Sequence, residues 1–224
     1  MAGEIQTVSI ESSGGALEGL LNVGSPDATY AAVVCHPHPM YGGTMHNKVV
    51  YHAMKALNGF GFPVLRFNFR GAGRSEGEHD FGRGEQDDVR AGIAWLRRRF
   101  ELPMIFAGFS FGASVGLRAC CDDADVKALI SIGTPLQAED RAYRYDFLAH
   151  CQQPKLFVSG ARDQYGPAAE LMKLVDASAE PKRLVLVEGV DHFFEPDGLP
   201  KMRAAIEEWV RELSIRGEHD DRES

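Results

Sequence analysis

The pentapeptide Gly108-Phe109-Ser110-Phe111-Gly112 has the form G-x-S-x-G. It ends the apolar run 104–109 (MIFAGF) and opens 111–121, a helical stretch rich in small residues. A serine where a strand turns sharply into a helix is pushed out of the sheet. The glycines on either side leave room that a β-carbon would fill. The first N–H groups of the helix are free to meet a developing negative charge. This is the chemistry of acyl transfer through a serine nucleophile. The plainer alternative is a helix-capping serine with glycines that ease packing.

A serine hydroxyl needs a base to take its proton. Three histidines follow Ser110: His150, His192 and His219. His219 falls in a polar tail, and His150 falls in a helical stretch ahead of a strand. His192 lies in Val190-Asp191-His192-Phe193-Phe194, just beyond the strand at 183–187. It is the expected base. The acid belongs in the loop after the preceding strand, where the chain reads Ser159-Gly160-Ala161-Arg162-Asp163-Gln164. Asp163 would hold the imidazole tautomer and stabilise the imidazolium. Asp191 ranks behind it, because adjacent side chains seldom face each other. An Asx turn is the structural alternative for Asp163.

Acyl transfer also needs donors for the oxyanion. One is the backbone N–H of Phe111. The other is expected from His36-Pro37-His38-Pro39-Met40-Tyr41-Gly42-Gly43, a loop stiffened by two prolines that cannot donate. His38 is the first choice there and Tyr41 the second. The H-x-H pattern also fits a metal, but no third ligand of suitable spacing follows, so no metal is expected. Met40, Phe109 and Phe193 are the candidates for an apolar substrate pocket, with packing around the turn as the alternative. The loop Arg70-Gly71-Ala72-Gly73-Arg74-Ser75 lacks dinucleotide and P-loop spacing, so no cofactor is expected. Arg70 reads as a loop brace before a substrate anchor.

These residues need a scaffold. Residues 4–11 and 16–22 read as two strands joined by a tight turn. Further strands are expected at 30–35, 62–69, 104–109, 126–132, 155–159 and 183–187. Helices are expected at 47–58, 85–99, 111–121, 167–177 and 199–215. Strands that are apolar runs, alternating with helices, imply a parallel sheet covered on both faces. Ligands of such sheets bind beyond the carboxyl ends of the strands. Ser110, Asp163 and His192 all fall there.

The chain has 224 residues and a net charge of −8, part of it in the acidic stretch 218–223. One α/β domain over 1–216 with a polar, disordered tail at 217–224 is expected. No basic face points to nucleic acid. No apolar run approaches the roughly 18 to 20 residues of a membrane span. No basic-then-apolar leader opens the chain, so a cytoplasmic place is expected. The four cysteines, Cys35, Cys120, Cys121 and Cys151, then read as buried free thiols.

HPHPMYGGTMHNKV, RFNFRGAGRSEGEHDFGRGEQDD, GFSFG and DHFF occur in order along the chain. With them the sequence resembles the α/β-hydrolase superfamily from about residue 5 to 215, and within it a small bacterial group of serine hydrolases. The resemblance implies an eight-stranded, mostly parallel sheet with one antiparallel strand. It implies nucleophile, acid and base at Ser110, Asp163 and His192. Larger members insert a cap after the sixth strand. Here only Gly133 to Pro154 are available, so a minimal cap or none is expected. The leading expectation is a cofactor-free hydrolase of a small-molecule ester or thioester, monomeric or homodimeric. A peptidase and a non-catalytic small-molecule binder on the same fold are the alternatives. An aspartate nucleophile is excluded by Ser110.

Overall fold

A computed structural model describes residues 4–138 and 141–220, the side chains of 141–142 and 214–220 excepted. Ten strands occur in chain order: β1 (Ile5–Ser12), β2 (Gly15–Asn22), β3 (Ala31–Cys35), β4 (Val64–Phe67), β5 (Met104–Phe109), β6 (Val126–Ile132), β7 (Gln137–Ala138), β8 (Arg141–Ala142), β9 (Lys155–Gly160) and β10 (Lys182–Val187). Five α-helices accompany them: α1 (Lys48–Asn58), α2 (Gly84–Phe100), α3 (Phe111–Cys120), α4 (Ala168–Ala177) and α5 (Leu199–Asp220). Pro39–Tyr41 and Asp146–Ala149 form short 3₁₀ turns.

Eight strands make one sheet in the order β1-β2-β4-β3-β5-β6-β9-β10. β2 runs antiparallel to both neighbours, and every other pairing is parallel. β3, β4, β5 and β9 are buried at every residue. This is why their sequences are apolar runs rather than alternating patterns. Val33, Leu65, Phe67, Phe106 and Phe157 face α2, α3 and α4. Val34, Val64, Ile105, Ile130 and Val158 face α1 and α5.

The helices form for legible reasons. Asn47 caps α1, its Oδ1 accepting the Val49 N–H at 2.9 Å, and α1 buries Val49, Val50, Ala53, Met54 and Leu57. α2 carries acids in its first turn and three arginines in its last, matching the helix dipole. Its apolar stripe is Val89, Ile93 and Leu96.

β4 is shorter than the expected 62–69. Pro63 has no N–H to give, and the Phe69 N–H is taken by the His36 ring at 2.9 Å. Between β6 and β9 the described residues hold only the two-residue β7–β8 hairpin and a 3₁₀ turn. The last helix continues to Asp220. The rest of the expected tail at 217–224, residues 221–224, lies outside the described residues. All four cysteines are buried thiols, and burial pushes those of Cys35 and Cys120 well above the usual range. Among the described residues no helix is long and apolar enough to cross a membrane.

Candidate active site

β5 ends and α3 begins at Ser110, which sits at φ 55° and ψ −120°. That left-handed backbone is costly for a residue with a side chain, on the order of 1–3 kcal/mol. Its neighbours hold it there. The Ser110 N–H donates to the Ile132 carbonyl at 2.9 Å. A β-carbon on Gly108 would stand 2.6 Å from the Gly112 carbonyl oxygen. One on Gly112 would stand 2.5 Å from the His36 carbonyl oxygen. The turn is therefore pressed between β3 and α3, and only glycine fits at either flank.

The side chains then form a chain of hydrogen bonds. The Ser110 hydroxyl meets His192 Nε2 at 3.0 Å. His192 Nδ1 meets Asp163 Oδ2 at 2.8 Å. A carboxylate only accepts, so Nδ1 carries the ring proton and Nε2 is left to accept from the serine. Asp163 and His192 are 3% and 2% exposed. A buried carboxylate needs every lone pair answered. Here Ser159 Oγ donates to Oδ2 at 3.0 Å, and the N–H groups of Tyr165 and Gly166 donate to Oδ1 at 2.8 and 3.0 Å. With His192, that makes four donors for two oxygens. The arrangement can take a proton from Ser110 and hold the imidazolium that results.

The ring of His192 is set as well as bonded. Phe109, fully buried, lies beneath it with centroids 5.0 Å apart, and Tyr165 flanks it at 4.7 Å. Gly133, at φ 53°, lets β6 end close by, since a β-carbon there would come within 2.9 Å of Phe109 and 3.2 Å of His192.

The profile of the alpha/beta hydrolase domain matches residues 32–211. The chain belongs to the α/β-hydrolase family. An uncharacterised protein of Rickettsia prowazekii is 36% identical over 177 residues, which cover 76% of this chain and 74% of that one. Among solved structures, an alpha-beta serine hydrolase homologue from Coxiella burnetii is 33% identical with a TM-score of 0.81, over 91% of this chain and 96% of that one. A serine hydrolase without lid from Xanthomonas campestris is also 33% identical with a TM-score of 0.81, over 94% and 95% of the two chains.

The remaining expected residues of this α/β hydrolase distribute unevenly. Phe111 is the first residue of α3, directly after Ser110, so its N–H has no intrahelical partner. His38 caps the 3₁₀ turn, its Nδ1 accepting the Met40 N–H at 3.3 Å. The Tyr41 N–H donates to the His38 carbonyl at 3.1 Å, so the turn itself uses that amide. Met40 and Phe193 are exposed, and Phe109 forms the floor under His192. Asp191 does not face the imidazole. Its Oδ1 accepts the N–H groups of Phe193 and Glu195, both at 2.9 Å. His150 is exposed and follows the 3₁₀ turn Asp146–Ala149.

His36 is a structural tie. Its Nε2 accepts the Phe69 N–H at 2.9 Å, and Nδ1 donates to the Pro37 carbonyl at 2.6 Å. Both ring nitrogens are spent, which leaves none for a metal. Burial pushes this imidazole down to about 4. Among the described residues no group of three His, Cys, Asp or Glu could hold a metal ion. Arg70 is a brace: its Nε and Nη2 donate to Asp88 at 2.8 to 3.2 Å, and its N–H donates to the same carboxylate at 3.0 Å. That pairing raises the guanidinium further above its usual range.

Sequence reading missed Ser159, Tyr165 and Gly133. Ser159 lies near the end of β9, four residues before Asp163, which was the available signal. Tyr165 and Gly133 meet His192 only through tertiary folding.

Proposed function

We infer that the protein is a serine hydrolase that cleaves a carboxylic ester or thioester. The observation that carries the reading is the unbroken chain Asp163–His192–Ser110, anchored on a strained strand-to-helix turn. Ser110 Oγ attacks the acyl carbon as His192 Nε2 takes its proton. The Phe111 N–H and the His38 N–H receive the oxyanion. The imidazolium gives the proton to the leaving oxygen or sulfur, the bond to it breaks, and an acyl-serine remains. Water then enters, loses a proton to His192, and releases the acid with Ser110 restored. Asp163 keeps its negative charge throughout and orients the ring. Tyr41 drops out as a donor because its amide closes the 3₁₀ turn.

A fluorophosphonate probe tests this without knowledge of the substrate. Labelling of the wild type at Ser110, absent in Ser110→Ala, is the expected result. A folded wild type that stays unlabelled would overturn the reading and favour a small-molecule binder on the same fold.

A further inference from the structure

Phe81 is 70% exposed and sits at φ 52°. Exposed apolar residues are ordinary, and so is one strained turn. A bulky ring that is both strained and exposed is an outlier, and such outliers concentrate at functional sites. The turn beneath Phe81 is held firmly. Glu85 is fully buried and accepts the N–H groups of Asp80 and Gly82, both at 2.9 Å. Asp80 Oδ2 accepts the Gly84 N–H at 3.0 Å. Tyr41, 79% exposed, is presented in the same manner. Its 3₁₀ turn opens with Pro39 and closes on Gly42 at φ 76°.

These two rings end a row that begins beside Ser110. Phe111 stands 4.6 Å from His38 and 5.5 Å from His79, centroid to centroid. His38 and His79 are 4.7 Å apart. Tyr41 lies 5.0 Å beyond His38, and Phe81 lies 5.1 Å beyond His79. Sheet order fixes where the row sits. The loops after β3 and β4 lie on one side of β5, while β9 and β10, which precede Asp163 and His192, lie on the other. A leaving group must come within reach of His192 Nε2 to be protonated. An acyl substituent that leaves the reacting carbon away from the leaving group has the loops after β3 and β4, which carry the rings, on its side.

We propose that Tyr41 and Phe81 form an acyl-side aromatic platform, so that the preferred substrates are esters or thioesters of aryl-substituted acids. The ring stands two or three bonds beyond the carbonyl, as in a 3-phenylpropanoyl group. This rests on the serine-hydrolase reading above. Two ring-to-ring steps, 5.5 and 5.1 Å, separate Phe111 from Phe81, so an acetyl group is too short to touch the exposed rings. Aromatic pairing favours a phenyl over a saturated ring of like size by about 2- to 12-fold per contact.

The experiment compares kcat/KM for methyl 3-phenylpropanoate and methyl 3-cyclohexylpropanoate, which share a leaving group and a chain length. Wild type is expected to prefer the phenyl ester by at least twofold, and Phe81→Leu combined with Tyr41→Leu to bring the ratio to about one. Phe81→Gly relieves the left-handed backbone, so its denaturation midpoint rises while the phenyl preference falls. Equal rates for the two esters in wild type, or a preference that survives both leucines, would overturn the platform. Binding of the same two esters to Ser110→Ala reads the platform without turnover. A phenyl preference there alongside an unlabelled wild-type Ser110 would sink the hydrolase reading alone, whereas labelling with no preference would sink the platform alone.

Discussion

Acid should unfold this protein partly through one histidine. His36 is fully buried at the end of β3, and burial holds its imidazole at about 4 against an ordinary value near 6.5. The unfolded chain therefore binds a proton between those values while the folded chain does not. Stability rises with pH wherever the unfolded state holds more protons. The contribution of His36 is thus complete above about pH 6.5 and is lost as pH falls toward 4. Each tenfold change in proton affinity is worth 1.36 kcal/mol, so the loss comes to about 3 kcal/mol. That is a large share of the roughly 5–15 kcal/mol that holds a domain folded. The perturbation is His36→Gln, which keeps an acceptor for the Phe69 N–H and cannot titrate. Urea unfolding of both proteins at pH 7.5 and pH 4.5 gives the comparison. Wild type should lose about 2–3 kcal/mol more than the variant over that interval. Equal losses, or a His36 ring that titrates near 6.5 by NMR, would refute the reasoning. Because His36 ties the His38 loop to the end of β4, activity should fall over the same acid range.

Two other substitutions test the network. Asp163→Asn should keep the fold and lower kcat by about four orders of magnitude, since an amide does not fix the His192 tautomer; steady-state kinetics with methyl propanoate reads it, and a loss under tenfold would remove Asp163 from its role. Asp88→Asn should cost about 3–5 kcal/mol in urea unfolding, because it strands the Arg70 guanidinium in a buried site; a cost under 1 kcal/mol would mean that the pair does not brace the loop.

The sequence was most readable where chemistry and backbone constrain the same residue. Ser110 was legible because glycines two residues either side are required by a turn, and the turn by an exposed nucleophile. Asp163 was separable from Asp191 because strand ends place a loop residue better than a neighbour of His192. The parallel character of the sheet was legible too, since buried parallel strands must be apolar throughout, whereas the strand order came only with the fold. Tyr41 was harder. Two prolines remove two amides, but only the folded loop shows that the Tyr41 amide closes its own turn. The β7–β8 hairpin left no pattern, because two residues per strand are too few to alternate. Gly133 and Tyr165 carried no signal at all. Their value lies in what they approach, and that is set by where β6 and β9 end.

What emerges is a site made ready from below. Ser110 is held in a strained conformation by the Gly108 and Gly112 contacts, Asp163 by four donors, and the His192 ring by Phe109 beneath it. Among the described residues, the segment between β6 and β9 adds Gly133 at its start and the Leu136 and Gln137 N–H groups, which donate to the Tyr165 carbonyl at 2.8 and 3.1 Å. Electrostatic stabilisation of a transition state needs donors that are already in place, which under the proposed function would be the Phe111 and His38 amides. Under the proposed function, contacts to a substrate would come from the loops around Ser110. Tyr41, Phe81 and Met40 on one side, and Tyr165 and Phe193 on the other, are exposed apolar side chains on the described loops there.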